Sequence, residues 1–361
     1  MMKLLKFLLT YKFRIQKLPQ KKGGFTLLEL LVGLVLAFLV ITPLLGFMIN
    51  IMTSDRQEQA KASSEQEIQT ALDYIGRDLA QAIFIYDGFG LSQISDQLPD
   101  PPADTEGAPV LVFWKREFIP DALPKGDDAY LLSLVAYYLI KDTACTNSSS
   151  WSCTTRIGRV QLKDGIPDPN VSPNPDASGT TTYISNYEPS PGFNKFGSLP
   201  PGVAAVGEEK MNSWEKSDKG NINDSKNKIE TLIDFVDQSP STTAGLNITP
   251  CSTDGRNDSD RPDAPNPLPA NYNGLTVPYT YRQVPNYTGT GAVPTSLQTG
   301  SFYACVNTDK TLAQVFIRGN ASARIKPKTN PPTYSASKSA DFPKASIQVQ
   351  GRGLIKEQPG S

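Results

Sequence analysis

Residues 23–52 read G-G-F-T-L-L-E-L-L-V-G-L-V-L-A-F-L-V-I-T-P-L-L-G-F-M-I-N-I-M, an apolar run interrupted by one carboxylate, Glu29. Crossing a bilayer takes about 20 apolar residues, so the run is long enough to span one. Ahead of it lie seven cations and no anion: Lys3, Lys6, Lys12, Arg14, Lys17, Lys21 and Lys22. That asymmetry keeps the first segment on the cytoplasmic side and sends everything after Met52 across the inner membrane.

Glu29 is the sharper constraint. A carboxylate inside an insertion segment costs roughly 2.5–3.5 kcal/mol, less near an end where it can reach the interface. One reading is a charge tolerated near the helix start. The other needs a cation to meet it, and a cut after Gly24 would create one, the α-amino group of Phe25.

The stretch Lys21-Lys22-Gly23-Gly24-Phe25-Thr26-Leu27-Leu28-Glu29 resembles the class III signal of type IV pilins and pseudopilins. The resemblance implies that a membrane prepilin peptidase cuts after Gly24 and methylates Phe25. Glu29 becomes the fifth mature residue and pairs with the terminal amine of a neighbouring subunit. The implied partners are the peptidase, other pseudopilins of the same filament and an inner-membrane assembly platform. An ordinary secretory signal would be discarded with its apolar core. Here only the cationic leader, residues 1–24, is expected to leave.

The chain has 361 residues, room for one large domain or two small ones behind a membrane helix. Its formal charge is −1, and without the leader cations the remainder is clearly acidic. No global basic field for nucleic acid remains. Histidine is absent, which excludes histidine-based triads, bases and metal sites. The 30 prolines and 27 glycines describe a loop-rich extracytoplasmic domain. All four cysteines follow the apolar run, which reads as two disulfides on the translocated side. Of three possible pairings, local spacing suggests Cys145–Cys153, leaving Cys251–Cys305. The spacings are not those of a zinc site.

Leu4, Leu5, Phe7, Leu8 and Leu9 give the leader an amphipathic start suited to the inner membrane surface. A helix is expected over 25–52, with Gly33 and Gly46 weakening it and Pro43 kinking it or melting a turn. Residues 53–87 are expected to continue it, because Ile68, Leu72, Ile75, Leu79, Ala82, Ile83 and Tyr86 recur at helical spacing. Glu65, Glu67, Asp73, Arg77 and Asp78 fall on the opposite face, and Asp87-Gly88 ends the helix. Residues 88–355 form the globular part, with 88–108 a loop. Strands are expected at Pro109–Ile119, the second half of Tyr130–Lys141, its hairpin partner Arg156–Leu162, Phe302–Val306, Leu312–Arg318 and Ile347–Gln350. Proline-rich insertions occupy 163–225 and 238–300. Short helices are expected at Glu208–Lys216 and Lys226–Val236, the latter from Ile229, Leu232, Ile233 and Val236 on one face. Residues 356–361 are a loose tail. The fold class is α+β: one long N-terminal helix packed on an antiparallel β-sheet with loop-rich insertions.

Two further stretches carry finer resemblances. V-A-Y-Y-L-I followed by R-I-G-R-V-Q-L is similar to the strand pair of minor pilins of the PilW and type II secretion J-pseudopilin kind. A-Q-V-F-I-R-G-N-A-S-A-R-I, with D-Y-I-G-R-D-L-A-Q-A-I-F-I-Y-D, resembles the HpsC pseudopilins of cyanobacteria. That family implies a role in hormogonium polysaccharide secretion and gliding.

Ligand chemistry is sparse. Asp254, Asn257, Asp258 and Asp260 could hold calcium, but an EF-hand pattern is missing and a solvated loop is the better reading. Trp114, Trp151 and Trp214, with Tyr272, Tyr279, Tyr281 and Tyr287, could face sugars or a partner, although aromatics in strands are usually core. No stretch singles out a pair of carboxylates for glycoside hydrolysis. The expected function is a minor pseudopilin, with no enzymatic activity and no cofactor. A tip adhesin or exopolysaccharide-binding pilin, and an uncleaved membrane-anchored periplasmic protein, are the alternatives.

Overall fold

The computed structural model describes residues 24–124, 126–146, 148–171, 182–195, 207–251, 282–285, 293–308, 310–326 and 328–352. The chain divides into two compact units at Asp55/Arg56. Helix α1, Leu27–Leu79, begins in the first and continues into the second.

In the first unit α1 is solvent-exposed on every side. Pro43, where a kink or a melted turn is expected, lies inside the helix, which continues through that position. In the second unit one face of α1 is buried, through Ile68, Ala71, Leu72, Ile75 and Leu79, the spacing of a helix laid on a core.

The helix stops earlier than its periodicity suggests. Ala80 and Gln81 close the last turn by hydrogen bonds to Gly76 and Asp78, and Ala82–Ile85 is strand β1. Ile83, Phe84 and Ile85 are β-branched or aromatic, side chains that suit a pleated surface. They pair antiparallel with the next strand, Phe84 opposite Trp114 and Ile85 opposite Phe113. Asp87 does not end α1. Its Oδ1 accepts from the N–H of Gly90 at 2.8 Å and caps a short helix, α2, Gly88–Ile94, where a loop was expected.

Strands β2 (Thr105–Leu123) and β3 (Asp127–Asp142) make a long antiparallel hairpin. All of 127–142 is strand, not only its second half. Strand β4, Thr155–Lys163, pairs with β3, Val135 opposite Gln161 and Tyr137 opposite Arg159. Helix α3 is Gly207–Asn212.

The helix expected over Lys226–Val236 is instead a short 3-10 turn and strand β5, Glu230–Val236, paired with β4. The spacing that suggested a helix has a different origin. Phe235 adopts a left-handed φ of 57°, and the β4–β5 register shifts twice. A strand broken this way buries residues about every third position, as a helix does, here Ile233 and Val236.

Strands β6 (Arg282–Val284), β7 (Phe302–Asn307), β8 (Leu312–Arg318) and β9 (Lys344–Gln350) follow. They do not extend the first sheet. The order is β1-β2-β3-β4-β5 in one antiparallel sheet and β6-β7-β8-β9 in a second, where one sheet was expected. Among the described residues, an isolated bridge from Val236 to Gly319 links them, beside a buried ion pair between Arg318 Nε and Asp237 Oδ2 at 2.8 Å. One apolar core spans both sheets and the buried face of α1, from Ile68 to Ile317. The fold is therefore α+β, a long N-terminal helix followed by antiparallel sheets.

Candidate functional site

The N-terminal segment is built around a helix start. Gly24, Phe25 and Thr26 precede α1. Thr26 Oγ1 accepts from the N–H of Glu29 at 3.3 Å, and the Thr26 carbonyl accepts from the N–H groups of Glu29 and Leu30, each at 3.1 Å. Thr26-x-x-Glu29 is thus a helix-capping sequence, with a carboxylate in the first turn where the helix dipole favours negative charge. T-x-x-E before an apolar run is a helix-start signal already present in the sequence. Glu29 consequently has a local reason to be where it is, beside any role in meeting a partner's charge.

Beyond the cap, every large apolar side chain from Phe25 to Met52 is more than 40% exposed; Phe25 stands at 80% and the least exposed, Ile51, at 44%. A surface of this extent is not left to water by a monomer. The helix is long and apolar enough to cross a membrane. Nothing lies within 4 Å of a side chain built at Gly24, Gly33 or Gly46, so these positions are open to an approaching backbone.

The second unit carries the chemistry that the sequence misplaced. Asp78, expected on the polar face of α1, is only 8% exposed. It falls one position before Leu79 and three after Ile75, on the buried stripe. Its Oδ1 receives Lys115 Nζ at 2.9 Å, and its Oδ2 receives Arg159 Nε and the Tyr137 hydroxyl, each at 2.7 Å. Lys115 also pairs with Glu117, Gln161 Nε2 donates to Glu117 Oε2 at 3.0 Å, and Arg159 Nη2 donates to Gln161 Oε1 at 2.8 Å. Burial pushes the Asp78 carboxyl up. The Arg159 guanidinium, the Lys115 charge and the Tyr137 hydroxyl outweigh that and hold it below the ordinary carboxylate range. Burial and the Asp78 charge both push the Tyr137 phenol up, so it stays protonated and donates. A network this fully satisfied fastens α1 to the sheet.

The structure pairs Cys145 with Cys153 and Cys251 with Cys305. Trp114 and Trp214 are unavailable to a ligand: both are core side chains, 0% and 3% exposed, in edge-on contact at 6.0 Å. The Trp114 indole donates to the Tyr86 hydroxyl at 3.0 Å, which itself donates to the Met211 carbonyl at 2.9 Å. Trp151 alone of the three is at the surface, 42% exposed. Tyr272, Tyr279, Tyr281 and Tyr287, and the calcium candidates Asp254, Asn257, Asp258 and Asp260, lie outside the described residues. So do the leader up to Gly23 and the tail 356–361. Among the described residues, no group of three His, Cys, Asp or Glu could hold a metal ion.

Residues 19–45 match the family model of the prokaryotic N-terminal methylation motif. The N-terminus is thereby of the type IV pilin-like, prepilin type, and the match covers that segment alone. No curated protein and no solved structure matches the chain.

Proposed function

We propose that this chain is a minor pseudopilin, a structural subunit of a filament of the type IV pilus or type II secretion kind. The observation that carries the reading is a helix capped by Thr26, two residues after Gly24, whose apolar first half is exposed on every side and begins inside the residues that match the methylation motif. In this reading the prepilin peptidase cuts after Gly24 and methylates Phe25. Residues 25–52 anchor the chain in the inner membrane, leader inward and second unit outward. The assembly platform then lifts the helix out of lipid and into a bundle of like helices. Extraction exchanges one apolar environment for another, so the run that holds the subunit in the bilayer also holds it in the filament. Glu29 meets the Phe25 amine of a neighbouring pseudopilin, which replaces a cost of roughly 2.5–3.5 kcal/mol for a lone charge in lipid with a paired one.

The chain acts by assembling, without enzymatic activity or cofactor. An elaborate second unit of two sheets and several irregular segments would crowd a shaft of tightly repeating copies, which favours a place at or near the tip. The resemblance of residues 73–87 and 313–325 to the HpsC pseudopilins makes polysaccharide export and gliding the process served.

Mass spectrometry of the mature N-terminus from its native cell tests the reading. The expected chain begins at Phe25 with an added methyl group. A chain that keeps residues 1–24 while functioning would reduce the protein to a tethered outer domain.

A further inference from the structure

We infer that the second unit carries a binding groove for a neutral sugar chain, between the outer face of α1 and strand β5, with Trp151 and Tyr74 as its stacking surfaces. The groove encloses about 510 Å³, within the range of small-ligand sites. Gln66, Thr70, Tyr74 and Arg77 line one wall at helical spacing; Trp151 and Asp234 stand on the other.

Trp151 is the first reason. It is 42% exposed, while the other two tryptophans are core. It is also held in place. The Cys145–Cys153 disulfide closes its loop. The next residue, Ser152, gives its N–H to Asp234 Oδ2 at 2.9 Å and its hydroxyl to Asp234 Oδ1 at 2.5 Å. Lys328 Nζ donates to the Ser149 carbonyl at 2.9 Å on the same loop. A large apolar ring is thus presented to water on a fastened loop, and a preset surface binds with less ordering cost.

The second reason is the pairing of rings with cations. The Arg156 guanidinium lies 5.7 Å from the Trp151 ring centroid, and that of Arg159 lies 5.5 Å from the Tyr74 ring. Each ring has a cation against it that fixes its orientation, and each still lines the groove. A pyranose ring offers just the complement, an apolar face of C–H groups rimmed by hydroxyls.

The polar lining fits those hydroxyls. The Gln66 amide both donates and accepts, the Arg77 guanidinium donates, and the Thr70 hydroxyl, which gives its own proton to the Gln66 backbone carbonyl at 2.8 Å, accepts. The charges that line the groove balance by sign: Glu67 is paired with Arg324, and Asp234, whose oxygens accept from the neutral Ser152, is offset in number by Arg77. A groove without net field favours a neutral ligand over an anionic one. It suits a helix from another subunit poorly, since an apolar helix face would strand the amide and guanidinium groups.

The inference stands apart from the processing of the N-terminus, so each can fail alone. The full chain in lipid nanodiscs, free of sugar-based detergents, is titrated with cellotriose, maltotriose and xylotriose, and with a hyaluronan tetrasaccharide as the anionic comparison. Saturation-transfer NMR reads binding. At least one neutral trisaccharide should bind with a Kd of about 10 μM to 1 mM. Trp151→Ala should weaken it about tenfold or more without moving the unfolding midpoint, and Trp151→Phe should retain most of it. Gln66→Ala, on an exposed helix position, should weaken it as well and guards against a folding defect at Trp151. Absence of binding by all three neutral sugars, stronger binding of the anionic one, or affinity indifferent to both Trp151→Ala and Gln66→Ala would each overturn the site.

Discussion

Asp78 is one carboxylate with three donors, and it shows how a single side chain can decide whether a helix stays on its sheet. Lys115 retains Glu117 as a second partner, whereas Arg159 is left, among the described residues, with the neutral Gln161 amide and the Tyr74 and Tyr137 rings. Removing the carboxylate therefore strands the guanidinium in particular. Breaking a buried pair from one side costs about 3–5 kcal/mol, and Asp78→Ala should lose stability on that scale in urea unfolding near neutral pH. The pH dependence has a definite sign. The folded carboxyl titrates below its unfolded value of about 3.9, so its contribution is full above that value and is lost as pH falls through the folded pKa. Wild-type stability should fall steeply below about pH 4, and Asp78→Asn should flatten that part of the curve. An unchanged acid limb in the asparagine variant would remove the carboxylate from the account of how α1 is fastened.

At the scale of elements, α1 and β9 meet where α1 has no side chain. A Cβ at Gly76 would lie 2.8 Å from Ile347 Cδ1 and 3.6 Å from Val349 Cγ2. Ile347 and Val349 pack against the core from the edge strand of the second sheet. Gly76→Ala asks only the end of one flexible side chain to move, and it gains roughly 0.5–1 kcal/mol of helix propensity, so it should be close to neutral. Gly76→Leu has no such room and should cost about 1–3 kcal/mol. Ile347→Ala in the same chain should recover part of that loss. If the double variant is as unstable as the sum of the two singles, the contact is not the cause. The same scale separates what was legible in the sequence from what was not. The apolar run of α1, the β3–β4 hairpin and strands β7 and β8 could be read, since each has a long unbroken pattern with one period. Strand β5 could not, because the left-handed Phe235 and two register shifts give a strand the spacing of a helix. The end of α1 was overrun for a related reason: Ala82, Ile85 and Tyr86 are buried in a strand and its exit at positions that also continue a helical stripe. Asp78 lies on that buried stripe by its helical phase, while its charge alone points to the solvent face. The division into two sheets was hidden since it depends on pairings between distant strands, as does the meeting of Tyr74 with Trp151 in one groove.

At the scale of the molecule, the two disulfides bear on the proposed placement of the second unit outside the membrane. They close loops of very different length, with sequence separations of 8 and 54. Loop-closure entropy assigns about 2.5 kcal/mol to a short loop of that size and about 4 kcal/mol to the longer one. Cys251→Ser with Cys305→Ser should therefore destabilise more than Cys145→Ser with Cys153→Ser, by about 1–2 kcal/mol in urea unfolding. Both bonds need an oxidising compartment, which residues beyond Met52 reach in the proposed topology, with the seven cations ahead of the apolar run left inside. Replacing Lys17, Lys21 and Lys22 with glutamate, and adding lysines after Met52, should turn the helix around and leave the second unit in the cytoplasm. Its four thiols should then react with a membrane-permeant maleimide after denaturation, whereas those of the native chain should not. The retained unit should also be cleared by proteolysis, since it lacks several kcal/mol against a typical total of about 5–15 kcal/mol. A native chain whose thiols label readily would put the second unit on the reducing side of the membrane, and a filament built outside it would then have no route to this subunit.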